Sequence, residues 1–323
     1  MKASIVMAVR GEPVDRVVRA LASLAVQQAC EPLEVVIAAP PEEHRTLARV
    51  RPAGAVTSVV LVENPCGARS PGLNRAVAAT STPVVVRVDA RSVVPTDYVA
   101  RCVRRLEADP MIGVVGGVQR PTARVTTARA RGIARALRNP WVLGGARYRR
   151  VGAGGSADTV YLGAFRRDEL LALGGYDGNL AANEDFDLCA RYRRAGRRVW
   201  IEEGLEVGYE ARTTYGDLWR QYRAFGAAKV HYWRDRRSRP QPRQALALGA
   251  AAAGLVAAAG QVRHPWRAVA LASGAVAAIG ALDHVVDPGD ADIRVRAHAV
   301  AASVCVMAAW TSGIAVEAAH RRP

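Results

Sequence analysis

Short runs of apolar residues alternate with helical stretches in the first part of the chain. The runs are almost continuously apolar and lie at residues 4–9, 34–39, 56–62 and 83–88. Between the first two, apolar side chains recur at helical spacing, at Val17, Val18, Leu21, Leu24 and Ala25. Continuous apolar strands separated by helices are typical of a parallel sheet that is covered on both faces. The pattern therefore predicts an α/β fold with a mostly parallel sheet.

Ligands in such sheets bind at the carboxyl ends of the strands. The segments that follow the four apolar runs are therefore the first candidates for a binding site. They are residues 10–12, 40–43, 64–69 and 89–91.

The middle of the chain has a less regular pattern. Residues 121–155 are rich in arginine and glycine and predict a long loop or mobile segment. VYLGAF at residues 160–165 predicts another strand, and helices are predicted over 167–173, 185–195 and 215–233.

The composition changes at the basic segment 234–243, which precedes three stretches rich in Ala, Val and Leu. The first and third, at 244–262 and 297–316, carry no charged residue and are close to the length that a membrane-spanning helix needs. The second, at 266–286, contains Arg267 and Asp283, which make it a weaker candidate for a span. We predict a globular domain at 1–233, a basic juxtamembrane linker at 234–243, and a membrane region at 244–323 with two or three transmembrane helices. The alternative is a soluble helical hairpin that packs on the main domain.

The charge of the chain limits the classes of partner that it can bind. The net charge of +16 suits phosphate groups, an anionic membrane surface or nucleic acid. The basic residues cluster at 234–243 and accompany no recognition motif with interleaved aromatics, which disfavours nucleic acid.

The five cysteines have no paired spacing, so neither a zinc cluster nor a disulfide framework is indicated. The first apolar run is too short for a signal peptide, so we expect the N-terminal domain in the cytoplasm.

Two acidic segments are candidates for chemistry. In VVVRVDARS, residues 84–92, Asp89 ends a buried strand and could hold a Mg²⁺ or Mn²⁺ ion that bridges two phosphates. A turn-forming or helix-capping aspartate is the alternative. In NEDFDLCARYRRAG, Asn183 is a candidate helix cap, and Asp185 is either a general base or an acid that favours the helix dipole.

Four segments, taken together and in this order along the chain, match the motifs of a known family. They are NPCGARSPGLNRAVAATSTPVVVRVDARS, WVLGGARYRR, DTVYLGAFRRDELLALGGYD and NEDFDLCARYRRAGRRVW. From about residue 3 to residue 233 the chain resembles the family 2 inverting glycosyltransferases of GT-A fold, and within them the ExoA-like subgroup of succinoglycan and exopolysaccharide biosynthesis. The resemblance implies a Rossmann-like sheet, a nucleotide-diphosphate sugar as donor and a divalent cation, Mg²⁺ or Mn²⁺.

The resemblance also implies roles for individual residues. Asp185 matches the catalytic base with Glu184 as its neighbour, and Asp89 matches the first carboxylate of the family's DxD element, the predicted metal ligand. The donor side comprises Val9, Arg10, Glu12, Arg69, Asn74, Asp89 and Arg91. The segment 217–229 resembles the family's W-x-x-Q-Y element and places Trp219, Gln221 and Arg223 on the acceptor or pyrophosphate side. An amphipathic helix on the membrane surface is the alternative for this segment.

Three departures from the family pattern concern the donor pocket. The first strand ends in AVRGE, which keeps only Glu12 of the usual Pro-x-Tyr-Asn-Glu. The second strand ends in Ala38-Ala39-Pro40 where the family has a base-binding aspartate. Arg91 replaces the second aspartate of DxD; an arginine cannot bind a metal ion but can neutralise a diphosphate.

These observations predict an inverting glycosyltransferase that moves a hexose from a nucleotide-sugar to a lipid-linked or polysaccharide acceptor. We expect a multi-pass protein of the cell membrane that contacts membrane lipids and has its catalytic domain in the cytoplasm. The alternative is a catalytically impaired GT-A-fold scaffold or partner subunit of a polysaccharide assembly complex.

Overall fold

A computed structural model describes residues 1–142, 145–260, 265–286, 289 and 292–320. Positions 143–144 of the WVLGGARYRR segment and 261–262 of the first C-terminal apolar stretch lie outside the described residues. The chain forms two compact units. The first comprises Met1–Arg120 with Arg147–Tyr209, and the second comprises Pro121–Ala146 with Glu210–Pro323. The predicted domain boundaries at 233 and 243 stay a prediction.

The first unit is built on a mixed sheet. Its strands are β1 (Ala3–Ala8), β2 (Leu33–Ala39), β3 (Val56–Glu63), β4 (Val84–Arg87), β5 (Ser92–Val93), β6 (Ile112–Thr122), β7 (Gly155–Ser156), β8 (Tyr161–Arg166) and β9 (Arg198–Glu210). Across the described residues the strand order is β3-β2-β1-β4-β8-β6-β9-β5, with β7 beside β9. Strands β1 to β4 are parallel, as their apolar runs predict, whereas β8 pairs antiparallel with β4 and β6.

Helices cover both faces of this sheet. They are α1 (Val14–Ala25), α2 (Pro41–Leu47), α3 (Arg69–Ala78), α4 (Tyr98–Ala108), α6 (Arg167–Ala172) and α7 (Glu184–Arg194). Because side chains alternate along a strand, Ile5 and Met7 of β1 join the core beneath α1 and α4, whereas Val6 joins the core beneath α3 and α7. The sheet is thus buried on both sides, and its carboxyl edge is left for a site.

The second unit is helical. It contains α5 (Ala128–Arg138), α8 (Tyr215–Asp235), α9 (Pro242–Ala259), α10 (Pro265–Val286) and α11 (Ile293–Ala319). Helix α11 packs against α5 and α8. A Cβ atom at Gly226 of α8 would collide with the backbone of Trp310, and one at Gly313 of α11 would collide with the backbone of Arg223. These glycines allow the two helix backbones to approach closely.

The prediction of a loop over residues 121–155 was wrong in part, because α5 lies within it. Six consecutive residues of this helix, 132–137, are buried, and Ile133, Ala134 and Leu137 are among them. The side chain of Thr127 caps the helix by accepting a hydrogen bond from the backbone N–H of Ala130 at 3.3 Å. Arginines interrupt the apolar spacing of this segment in the sequence. Its apolar side chains are buried because α11 packs against them.

Apolar helices are present at the C-terminal end, but their lengths differ from the prediction. Among the described residues, Ile293–Ala319 alone is long and apolar enough to cross a membrane by length and composition. The apolar stretches in α9 and α10 are shorter, at Gln244–Gly254 and Ser273–Val285. The two or three transmembrane helices expected from the sequence are therefore represented by one candidate in this part of the chain.

Candidate active site

The carboxyl end of β4 contributes a buried arginine followed by an aspartate. Arg87 is the last residue of the strand, and its side chain is only 2% exposed. Its Nε donates a hydrogen bond to Asp89 Oδ1 at 2.8 Å, and its Nη2 donates to Asp89 Oδ2 at 3.1 Å. This two-point contact fixes the orientation of the Asp89 carboxylate.

The start of α7 brings two further acids to the same guanidinium group. Glu184 Oε1 accepts a hydrogen bond from Arg87 Nη2 at 3.3 Å, and Asp185 Oδ1 accepts one from Arg87 Nη1. Arg69, the first residue of α3, reaches Glu184 Oε1 from the other side at 3.4 Å. Arg87 therefore joins the predicted donor-side acid, Asp89, to the predicted base, Asp185.

The residue before α7 does not cap the helix in the predicted way. Asn183 has a left-handed backbone, with φ of 69°, and its side chain makes no capping hydrogen bond. A capping side chain normally projects from an extended residue, whereas asparagine is one of the few residue types that adopt the left-handed conformation readily. The residue turns the chain so that Glu184 and Asp185 enter the site together.

Electrostatics distinguish the two aspartates. Loss of surrounding water raises the pKa of Asp185 to about 7, with Arg87 acting in the opposite direction and Glu184 and Asp89 adding to the rise. The Asp185 side chain is 41% exposed, so water and an acceptor hydroxyl can reach it. Burial also disfavours the ionised form of Asp89, but Arg87 and Arg69 hold its pKa below the ordinary value. A carboxylate that titrates near neutral pH suits a general base.

The predicted donor residues of the first strand end lie at the same sheet edge. Glu12 accepts hydrogen bonds from Arg91 at 3.0 Å and from Arg16 at 2.9 Å. The Arg10 side chain is exposed and passes over Gly67, whose φ is +61°. The side chain of Val9 belongs to the core, so only its backbone is available to a ligand.

Asn74 supports the site from α3. Its Nδ2 donates to the carbonyl oxygen of Tyr176 at 2.7 Å, and its Oδ1 accepts from the backbone N–H of Tyr176 at 2.8 Å. The Tyr176 ring in turn lies 5.8 Å from the guanidinium carbon of Arg87. Both ends of the Asn74 amide thus hold the turn that leads to α7. Its predicted contact with the donor stays a prediction.

The three predicted acceptor-side residues lie on α8 of the second unit. Trp219 and Arg223 are exposed, and Gln221 Oε1 accepts a hydrogen bond from Arg212 Nε at 3.2 Å. Their role stays a prediction.

The residues around Asp89 do not fit a divalent cation held by this carboxylate. Both of its oxygens already accept hydrogen bonds from Arg87. Arg91 stands where a second acid would complete the pair and contributes no ligand. In the part of the chain that the structure describes, no three His, Cys, Asp or Glu side chains are placed to bind a metal ion together.

Arg87 is the site residue that sequence reasoning missed. It lies within the apolar run 83–88, so the hydrophobic pattern alone does not distinguish it. The available signal was its charge, because a buried arginine in the middle of a sheet requires acidic partners.

A mixed sheet whose parallel half ends in acids at its carboxyl edge, next to exposed arginines, suits a nucleotide-sugar glycosyltransferase of GT-A fold. Residues 3–226 match the family described as Glycosyltransferase like family 2. The chain belongs to this family.

Two similar proteins add detail. The succinoglycan biosynthesis protein ExoA of Rhizobium meliloti (strain 1021) is 30% identical over 195 residues, which are 60% of this chain and 58% of that protein. The chain thus spans under two thirds of this relative's length. The mannosyltransferase PcManGT from Pyrobaculum calidifontis, solved in complex with GDP-Man and Mn²⁺, superposes with a TM-score of 0.57 at 19% identity, covering 98% of this chain and 87% of that one. This likeness concerns the fold.

Proposed function

We propose that this chain is an inverting glycosyltransferase that transfers a hexose from a nucleoside-diphosphate sugar to a lipid-linked or polysaccharide acceptor. The observation that carries the proposal is the placement of Asp185, which is accessible, has a pKa near neutral, and is joined through Arg87 to the strand-end Asp89. Family membership and the similarity to a succinoglycan biosynthesis protein support the same reaction class and an exopolysaccharide product.

The reaction is a single displacement. Asp185 accepts the proton of an acceptor hydroxyl while that oxygen forms a bond to the anomeric carbon. The bond from the anomeric carbon to the nucleoside diphosphate breaks on the opposite face, so the configuration inverts. The leaving diphosphate gains charge, and Arg69 and Arg10 are the exposed cations at this edge that would stabilise it.

The test is a thermal-shift screen of nucleoside diphosphates against the full chain. A ligand that binds only the folded protein raises its melting temperature, by about 2.7 kcal/mol of stabilisation at a hundredfold excess over Kd. We expect one nucleotide to give a clear shift. A screen in which no nucleotide shifts the melting temperature would instead support the scaffold alternative, which the missing base-binding aspartate at Ala38–Pro40 favours.

The proposed base gives a prediction for pH dependence. Asp185 must be ionised to accept a proton, so kcat/KM for nucleoside diphosphate release should rise with pH and level off above an apparent pKa of about 7. The acid limb should be absent from the residual activity of Asp185→Asn. A wild-type profile that stays flat between about pH 5.5 and 8.5 would contradict the assignment of this base.

We also propose that the second unit attaches the protein to the cytoplasmic face of the cell membrane. Large apolar side chains are exposed on α9 and α10, at Leu246, Val256, Trp266, Val276 and Val285. The preceding linker contains Arg236, Arg237 and Arg239, which suit anionic headgroups. Flotation of the full chain with vesicles that contain anionic lipid tests this attachment, and failure to float would count against it.

A further inference from the structure

Arg87 makes ionic contacts with three carboxylates at the edge of the sheet. We infer that its guanidinium group is a built-in cation that takes the place of a divalent metal ion, so that the donor nucleotide binds without one. This inference rests on the proposed function, because it concerns how that donor is held.

The contacts of Arg87 engage both carboxylate oxygens of Asp89. Nε and Nη2 bind the two oxygens of Asp89 at 2.8 and 3.1 Å, Nη2 also binds Glu184, and Nη1 binds Asp185. A metal ion at Asp89 would have to share these two oxygens with the guanidinium group. It would also lie within a few ångströms of the guanidinium group, where two cations repel each other.

Burial prevents Arg87 from leaving. Its side chain is 2% exposed and projects from the last position of a strand that has neighbours on both sides. Moving the charge aside would leave three acids close together without compensation, and an unpaired buried charge is strongly unfavourable. The guanidinium group is therefore a fixed part of the site.

Other arginines at the same edge are suited to the phosphates. Arg69 is 56% exposed and stands at the N-terminal end of α3, where backbone N–H groups favour an anion. Arg10 is exposed and lies against Gly67, in the loop that precedes α3. Arg91 replaces the second DxD acid, but its charge is compensated by Glu12 at 3.0 Å. Phosphate binding by Arg69 and Arg10 requires no metal ion.

The first experiment measures binding of UDP and GDP to the wild-type chain by calorimetry, once in EDTA and once in Mn²⁺. We expect the nucleotide that binds to do so with the same Kd, within about threefold, under both conditions. Binding that is at least tenfold tighter in Mn²⁺ would overturn the inference and leave the proposed function intact. If neither these two nor any other nucleoside diphosphate of the thermal-shift screen binds under either condition, the proposed function fails and this inference fails with it.

The second experiment uses Mn²⁺ alone and needs no activity. In Arg87→Ala the three carboxylates lose the guanidinium group that lies between them and keeps them from binding one ion together. Without it they can close on a cation, and oxygen ligands of this kind bind Mn²⁺. We expect Arg87→Ala to bind one Mn²⁺ ion per chain, as measured by loss of the free-ion electron paramagnetic resonance signal, and its melting temperature to rise with Mn²⁺. Wild type and Arg87→Lys, which keeps the positive charge, should show neither effect.

The matched control is Arg105→Ala, which removes an arginine from the single carboxylate of Glu202 elsewhere in the same unit. It should not gain Mn²⁺ binding. Arg87→Gln, a neutral residue that retains a donor for Asp89, replaces Arg87→Ala if the latter does not fold. Wild type that binds Mn²⁺ as tightly as the Arg87 variants would overturn the inference.

Discussion

Asp185→Asn should lower kcat for sugar transfer by about 10²–10⁴-fold, which is the usual contribution of a general base. The asparagine amide has nearly the same shape but cannot accept a proton from the acceptor hydroxyl. Nucleoside diphosphate binding should change little, because the substitution leaves the Arg87 contacts to Asp89 and Glu184 in place. A fall in kcat with an unchanged nucleotide Kd would identify a contribution to the reaction step itself.

Asp168→Asn is the matched control for this substitution. Asp168 also lies in the first turn of a helix, α6, but its side chain is 98% exposed and outside the acidic cluster. It should retain wild-type activity. If Asp185→Asn keeps more than half of the wild-type rate while folding normally, Asp185 is not the base.

The parallel half of the sheet was predictable from the sequence because its strands are buried on both faces. Such strands are continuous apolar runs, and the observed β1 to β4 differ from the predicted runs by one residue or so at each end. The same logic located Asp89, since a charged residue directly after a buried strand lies at the edge of the sheet. Periodicity alone was sufficient there.

The cluster around Arg87 could not be predicted in the same way. Its members come from β4, α3 and the start of α7, and the contact between Arg87 and Asp185 joins positions that are far apart in the sequence. Local patterns describe each segment separately, so they identified the acids without the cation that joins them. A rule that every buried charge needs a partner would have marked Arg87, although not which acids it meets.

The second unit was harder to predict because its helices depend on one another. The apolar side chains of α5 are buried only because α11 packs against them. The close approach of α8 and α11 depends on Gly226 and Gly313. Asp283 interrupts the second apolar stretch, which makes that stretch a weaker candidate for a membrane span. In the structure it has a buried partner within the same unit.

That partner is Arg135 of α5. Arg135→Met should destabilise the second unit by about 3–5 kcal/mol, because removing one member of a buried ion pair leaves the charge of the other buried and uncompensated. Arg135 Nε lies 2.8 and 3.1 Å from the two oxygens of Asp283, and Nη2 donates to its carbonyl oxygen at 3.1 Å. The two side chains are 1% and 5% exposed. Thermal unfolding of the full chain, followed by tryptophan fluorescence, measures the change.

A second substitution and a control separate charge from packing. Arg135→Met combined with Asp283→Leu should regain most of the lost stability, because an apolar pair of similar volume leaves no buried charge. Arg131→Met on the same helix should cost at most about 1 kcal/mol, since Arg131 faces Asp292 across 3.7 Å with both side chains well exposed. The double variant could instead be no more stable than Arg135→Met alone. In that case the arginine stabilises the unit through packing or other contacts, and the ion pair does not hold α10 against α5.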